Sequence, residues 1–370
     1  MINSQSLEPY IGEPDVARLL AAFKREPHDR VPNFEVLFED QHVEKFLGRH
    51  AGNTLAYGGD PAKGVVDPDV VRPMYPDDFI DLCNLIGQDA MVFEAGLWAP
   101  FKRPDENTGK LMQVADRSVK TRQDFEALTF DSDRQIADAV KYVKEYKDTL
   151  KRRNSKIGVA PLYGCIMQTP YEFLMGMNDF MMMVYEDRDL VEEILETETQ
   201  HYVKMTKAFV EAGVDFVWPA DDVAFKTGLF IPPKIMKEMW VPRMARIFEP
   251  AVNAGIPVMF HSDGKIDDLV EDLIDMGMSC LNPIDPYGID YKAYKQRYGD
   301  RVCFSGNIDI EWPLSKGTPE EIDADVKAHM DVLKPGYGYV AGSSHSIVNY
   351  IPHENIIAYL NAIHKYGTYE

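Results

Sequence analysis

The sequence predicts an α/β protein of the closed (β/α)8, or TIM-barrel, class. Three features carry that expectation. Short apolar runs rich in Val, Ile and Phe alternate with longer amphipathic patterns, the mark of parallel strands joined by helices. Eight such runs can be counted. None is followed by a dinucleotide-binding glycine fingerprint, which favours a closed barrel over an open doubly wound sheet.

In chain order the expected strands are 31–37 (VPNFEVL), 89–95 (DAMVFEA), 156–163 (KIGVAPLY), 214–220 (VDFVWPA), 257–261 (PVMFH), 279–284 (SCLNPI), 301–306 (RVCFSG) and 338–342 (GYVAG). Between them, helical periodicity marks 134–152, 189–213, 232–255 and 265–277. Several of these close on a glycine just before the next strand, as a helix C-terminus favours. Residues 38–88 are Gly/Pro-rich (FLGRHAGNTLAYGGDPAKGVVDP) and are expected to form an irregular excursion over the barrel mouth or a subunit contact. No linker or low-complexity tract divides the chain, so 1–370 reads as one barrel domain.

Bulk properties narrow the function. With 45% hydrophobic and 27% charged residues the chain can bury a full core. A net charge of −21 argues against nucleic-acid binding and against a basic membrane-facing surface. Cys83, Cys165, Cys280 and Cys303 form no CxxC pair, which suggests free thiols in a reducing compartment. No basic segment followed by an apolar one opens the chain, and no apolar run nears the roughly 20 residues of a membrane helix, so a cytoplasmic location is expected.

In such a barrel, functional groups project from the C-terminal strand ends. Those positions hold Glu35, Glu94, Tyr163, Asp221 with Asp222, His261 with Asp263, Asp285, Asn307 and His345. Any one of them has a plainer use as a cap for the following helix, most of all Asp285 and Asn307. The His261-Ser262-Asp263 spacing lets one nitrogen and one oxygen turn toward the same point, and His345 on the last strand is best placed to add a third ligand. Two neutral imidazoles and a carboxylate, with one position open, describe a catalytic zinc site rather than a closed structural one. His28, His42, His50, His201, His329 and His364 fall in helical or surface-like contexts and are expected to be solvated, and His353 beside Pro352 carries no assignment.

Four segments together carry a family resemblance: LLAAFKREPHDRVPNFE, PVMFHSDGKIDDLVEDLIDMG, FSGNIDIEWPLSKGTPEEI and IPHENIIAYLNAIHKYG. Over nearly its whole length the chain resembles the uroporphyrinogen decarboxylase-like superfamily, which includes cobalamin-dependent methyltransferases. That branch carries His-x-Cys after the fifth strand and a later Cys before a closing Pro-x-Glu-Asn segment, all binding zinc. Here Asp263 replaces the first Cys, and His345 stands where the later Cys would, counted back from Pro352 and Asn355. The resemblance therefore implies a rebuilt zinc site of His261, Asp263 and His345. The decarboxylases themselves open with an Arg-rich motif for substrate carboxylates. This chain has NFEVLFED there, and a polycarboxylate tetrapyrrole would be repelled.

The resemblance implies methyl transfer involving a corrinoid (cobalamin) carried by a partner protein. A zinc ion held by two imidazoles and one carboxylate keeps net positive charge and polarises an ether oxygen. The favoured reading is thus transfer from an aryl methyl ether, such as a methoxylated aromatic acid, to Co(I): an O-demethylase component. The alternatives are a methylcorrinoid:thiol or pterin methyltransferase and, further off, a non-catalytic corrinoid-binding barrel. Asp222, Glu94 and Tyr163 are the candidates to orient the donor or protonate the leaving phenolate. Glu35, Met167 and Asn307 are the candidate substrate contacts. Met167 opens a stretch of six methionines (CIMQTPYEFLMGMNDFMMMVYE) that reads either as helix core or as a soft apolar wall.

Overall fold

The computed structural model describes residues 6–57, 59–60, 65–66, 71–105 and 109–369. Seven parallel strands form one sheet: β1 (Ala90–Glu94), β2 (Gly158–Gly164), β3 (Trp218–Ala220), β4 (Val258–His261), β5 (Met278–Asn282), β6 (Cys303–Ser305) and β7 (Tyr339–Val340). Neighbours in the chain are neighbours in the sheet, as right-handed βαβ units require. Each lies within an expected run or overlaps one.

The eighth stave is the stretch around Asn33. Asn33 bridges Gln88 on one side and Ala341 on the other. The Asp89 amide donates to the Asn33 carbonyl at 3.1 Å, and Phe34 and Ala341 exchange bonds with Ala341 and Pro32 at 3.0 and 2.9 Å. The barrel is closed, but run 31–37 does so by isolated bridges instead of a regular strand. Pro32 has no N–H to give to a ladder, which is reason enough.

Buried acidic side chains reinforce this seam. Glu35 is 2% exposed and accepts from the Ser343 amide at 3.1 Å, the Ser343 hydroxyl at 2.6 Å and the Tyr359 hydroxyl. Just across, the fully buried Asp89 accepts from Arg18, from Arg30 and from the Asp15 and Asn33 amides. First and last staves are thus tied by carboxylates as well as by backbone.

The outer layer includes helices Ser132–Arg153, Arg188–Ala212, Pro319–Leu333 and His353–Gly367. The expected helix 232–255 is two, Pro233–Met239 and Val241–Asn253, broken at Trp240 just before Pro242, which cannot continue a helical ladder. Of 265–277 only Val270–Asp275 is α-helical. The excursion 38–88 is more ordered than expected. It holds helices Asp40–Leu47 and Pro76–Ile86 and the antiparallel pair Gly59–Asp60/Val65–Val66, while residues 58, 61–64 and 67–70 lie outside the described residues. The second helix buries Phe79, Ile80, Leu82, Cys83 and Ile86 and serves as a barrel helix before β1. The first lies against the loop after β7, where a His42 ring nitrogen meets the Val348 carbonyl at 3.0 Å.

An unforeseen insertion follows β1: an antiparallel sheet of Phe101–Pro104, Leu111–Gln113 and Thr129–Phe130. Four histidines expected in solvent are buried, namely His42, His201, His329 and His364. His42 pairs with His353, and His201 is held between Ser132 and Gln135. All four cysteines are free, as the spacing suggested, and they are also buried. No helix among the described residues is long and apolar enough to cross a membrane.

Candidate metal centre

At the C-terminal ends of β3 and β4 three side chains converge. Asp222 follows β3; His261 ends β4 and Asp263 lies two residues on. Their ligand atoms lie within 4.8 Å of one another, with His261 Nε2 4.0 Å from Asp222 Oδ1. Among the described residues this is the group of side chains that meets the geometry of an ion site. Ligands about 2.1 Å from a tetrahedral ion sit about 3.4 Å apart, so small side-chain rotations close the set. β3 and β4 are adjacent staves, paired at Ala220 and His261, which is why the two loops meet.

Each donor is held from behind. The His261 Nδ1 side faces Asn282 Oδ1 at 2.8 Å, leaving Nε2 toward the carboxylates. Asp222 Oδ1 accepts from the Asp263 amide at 2.8 Å, and Oδ2 accepts from Gln168 Nε2 at 3.2 Å. The neighbouring Asp221 is fully buried and accepts from the Met167 and Gln168 amides and from Trp240 Nε1, locking the turn after β2 to the end of β3. Burial pushes its carboxyl up to about 7. After Asp263 the chain turns at Gly264, with φ +85° and its amide donating to Asp285 Oδ2 at 2.9 Å. Asp285 also accepts from the Tyr287 and Gly288 amides within a turn, so it is structural, though the following helix is capped by Asp290 and not by Asp285.

The electrostatics fit a cation. Burial raises the Asp263 carboxyl above its ordinary range and the nearby Asp222 raises it further, while His261 and His345 draw it down. Two crowded carboxylates beside an imidazole with one free nitrogen form a donor set that a divalent ion relieves.

The remaining expected site residues divide. His345, half exposed, brings Nε2 to 3.9 Å from Asp263 Oδ2 but is not one of the three mutually close donors; Asp222 stands in that place. Glu94 ends β1 with its side chain open to the mouth, and the surrounding protein raises its pKa. No hydrogen bond reaches its carboxyl among the described residues.

Three expectations are corrected. Tyr163 is fully buried, its hydroxyl 2.7 Å from Thr206 Oγ1 on the helix behind β2, so it faces the helical layer and not the mouth. Glu35 is enclosed in the seam, and the Met167 side chain is fully buried. A strand-end position does not fix which face a residue takes, because side chains alternate with a period of two. Asn307 is 1% exposed, with a buried Oδ1 that has no partner among the described residues. Sequence reasoning did not single out Asn282, Ser305 or Gln168. The signal was present for the first two, as polar residues at the ends of otherwise apolar runs beside His261.

A barrel with donors at adjacent strand ends is the frame of many enzymes, and comparison with known proteins gives the family. The model of the family described as Uroporphyrinogen decarboxylase (URO-D) matches residues 106–366, and the chain belongs to that family. It is 29% identical over 197 residues to the methylcobamide:CoM methyltransferase MtaA of Methanosarcina barkeri, covering 52% of this chain and 54% of that protein. The chain thus spans about half the length of that curated relative. It is 24% identical over 376 residues to the uroporphyrinogen decarboxylase of Alkalilimnicola ehrlichii, covering 94% and 93% of the two chains. Among solved structures, a methyltransferase from Methanosarcina mazei superposes with a TM-score of 0.63 at 19% identity, covering 94% and 97% of the two chains, a likeness of fold.

Proposed function

We propose that this chain is a methyltransferase working with a corrinoid-bearing partner protein, and that Asp222, His261 and Asp263 hold a divalent ion, zinc by the sequence argument, at the barrel mouth. The observation that carries the reading is the convergence of those three donors, together with the likeness to a methylcobamide:CoM methyltransferase. When bound, the ion supplies positive charge that stabilises an oxygen or sulfur anion of the reactant.

The favoured substrate is an aryl methyl ether. In that reaction the O–CH3 bond breaks, the Co(I) of the partner's corrinoid supplies the electron pair of the new Co–CH3 bond, and a phenolate leaves. This chain's part is to hold and orient the reactants. Glu94, exposed at the end of β1, is the group placed to protonate the phenolate oxygen. His345, beside Asp263 on the open side, lines the approach. The excursion 38–88, apart from its barrel helix Pro76–Ile86, is read as cover for this mouth or a subunit contact within one barrel domain, and the chain as cytoplasmic.

Ligand charge bears on direction. The converging set is one imidazole and two carboxylates, not two imidazoles and one carboxylate, so it would neutralise a divalent ion instead of leaving one positive unit. That removes part of the case for an ether and favours a second reading, transfer from methylcorrinoid to a thiol, which also matches the MtaA likeness. What still favours oxygen chemistry is that no cysteine joins the donors. Hard oxygen ligands leave an ion more electrophilic than thiolates do.

Elemental analysis of the purified chain should find near-stoichiometric zinc, lost in His261→Ala and Asp263→Ala. With Co(I) corrinoid protein and a panel of methoxylated aromatics, methyl-cobalt should form. If no ether yields methyl-cobalt while thiols demethylate the methylcorrinoid, the second reading replaces the first. A wild-type chain that takes up no divalent ion defeats both.

A further inference from the structure

β4, β5 and β6 are consecutive parallel staves, with His261 opposite Asn282 in the register and Leu281 opposite Phe304. That register lines up three inward polar side chains at one height: His261, Asn282 and Ser305. His261 Nδ1 lies 2.8 Å from Asn282 Oδ1, and Asn282 Nδ2 donates to Ser305 Oγ at 3.0 Å. Asn282 is 7% exposed and Ser305 fully buried, so water does not compete for these bonds. The apolar indole of Trp218 lies edge-on to the imidazole, 6.1 Å between ring centres, and offers it no acceptor.

We infer that Asn282, held by Ser305, is a positioning residue that fixes His261 as its Nδ1–H tautomer and so keeps Nε2 unprotonated for the ion. The inference rests on the metal-centre reading. With its amide oxygen toward the ring, Asn282 presents only an acceptor to Nδ1, and an acceptor there demands a proton on Nδ1. The other tautomer would put the proton on Nε2, where the lone pair is needed. A ligating histidine ordinarily hands its second N–H to such an outer partner, and loss of that partner typically weakens metal binding 10–100-fold. Ser305 contributes one step further out by accepting from Nδ2 in the amide orientation that turns the oxygen toward His261. Asn282 acts through His261 and Ser305 through Asn282, so both are positioning residues.

Two measurements separate this inference from the reading beneath it. The first is the ¹⁵N spectrum of histidine-labelled, metal-free protein, which reports the His261 tautomer without any ion. Wild type should show Nδ1–H at His261, and Asn282→Leu should shift it toward Nε2–H. The second is the affinity for Co(II), read from its ligand-field absorption and by competition with a chelator. Asn282→Leu should weaken it 10–100-fold, Ser305→Ala severalfold, and Asn282→Asp, which keeps the acceptor, should restore it to wild type or tighter. Thermal melts of each variant monitor folding. If Asn282→Leu leaves the tautomer unchanged, or if Asn282→Asp binds as poorly as Asn282→Leu, the inference is overturned. If wild type shows the Nδ1–H tautomer yet binds no Co(II), the metal-centre reading fails while the tautomer assignment stands.

Discussion

Glu35 offers the sharpest test of how this barrel is closed. Its carboxyl is enclosed between the first and last staves, and burial lifts its pKa from the ordinary 4.5 to about 7 despite bonds from Ser343 and Tyr359. The folded protein therefore holds a proton that the unfolded chain has already released between those two values. Stability contributed by the neutral form is fully present below pH 4.5 and is lost as pH rises through 7. At 1.36 kcal/mol per unit this amounts to about 3 kcal/mol across the window. Glu35→Gln keeps the shape and cannot titrate. Urea unfolding of both proteins, free of metal, at several values from pH 4.5 to 8 should show wild type losing about 3 kcal/mol relative to the variant. Asp221, also raised to about 7, slopes the same way but is present in both proteins and cancels. Parallel curves for the two proteins would refute the buried-acid account of the seam.

Other outcomes follow from the same geometry. Asp89→Asn strips Arg18 and Arg30 of their buried counter-charge and should cost about 3–5 kcal/mol, visible as a large fall in urea midpoint. Gly264→Ala puts a methyl group against the Ala224 carbonyl at a position with φ +85°; it should lower the melting temperature and weaken Co(II) binding, because the turn carries Asp263. Tyr163→Phe should lose about 1 kcal/mol for the Thr206 bond and leave methyl transfer near wild type, whereas a large loss of rate would return Tyr163 to the site.

Much of the barrel was legible because buried parallel strands read as short apolar runs, and seven of the eight expected runs contain or overlap regular strands. The eighth, at Asn33, was legible as an apolar run but not as a pair of bridges, since Pro32 limits the ladder locally. The sheet at 101–130 went unseen. Its strands are two to four residues long and mostly outside the core, so neither apolar clustering nor alternation betrays them. At the site, the rule that chemistry sits at strand ends picks out Asp222, His261 and Asp263, which converge, and Glu94, which is exposed at the end of β1. It could not give facing, which is why Glu35 and Tyr163 are candidates that prove enclosed; Met167 comes from the methionine-rich stretch instead, and there the plainer core reading fits its full burial. The pairing of Asp222 with the HxD segment depends on adjacent staves. Likeness to family cysteines pointed to His345, because likeness aligns chain positions and says nothing of which donors touch.

The placement of the three donors on β3 and β4 alone has a further effect. An ion gripped there is off-centre, against one flank of the barrel rim. Glu94 on β1 and the Asn307 and His345 loops after β6 and β7 furnish other parts of the circumference. Molecules arriving at such a lopsided opening would meet the His and Asp donors on one side and the exposed Glu94 carboxyl on another, so the two sides of an entering molecule are treated differently.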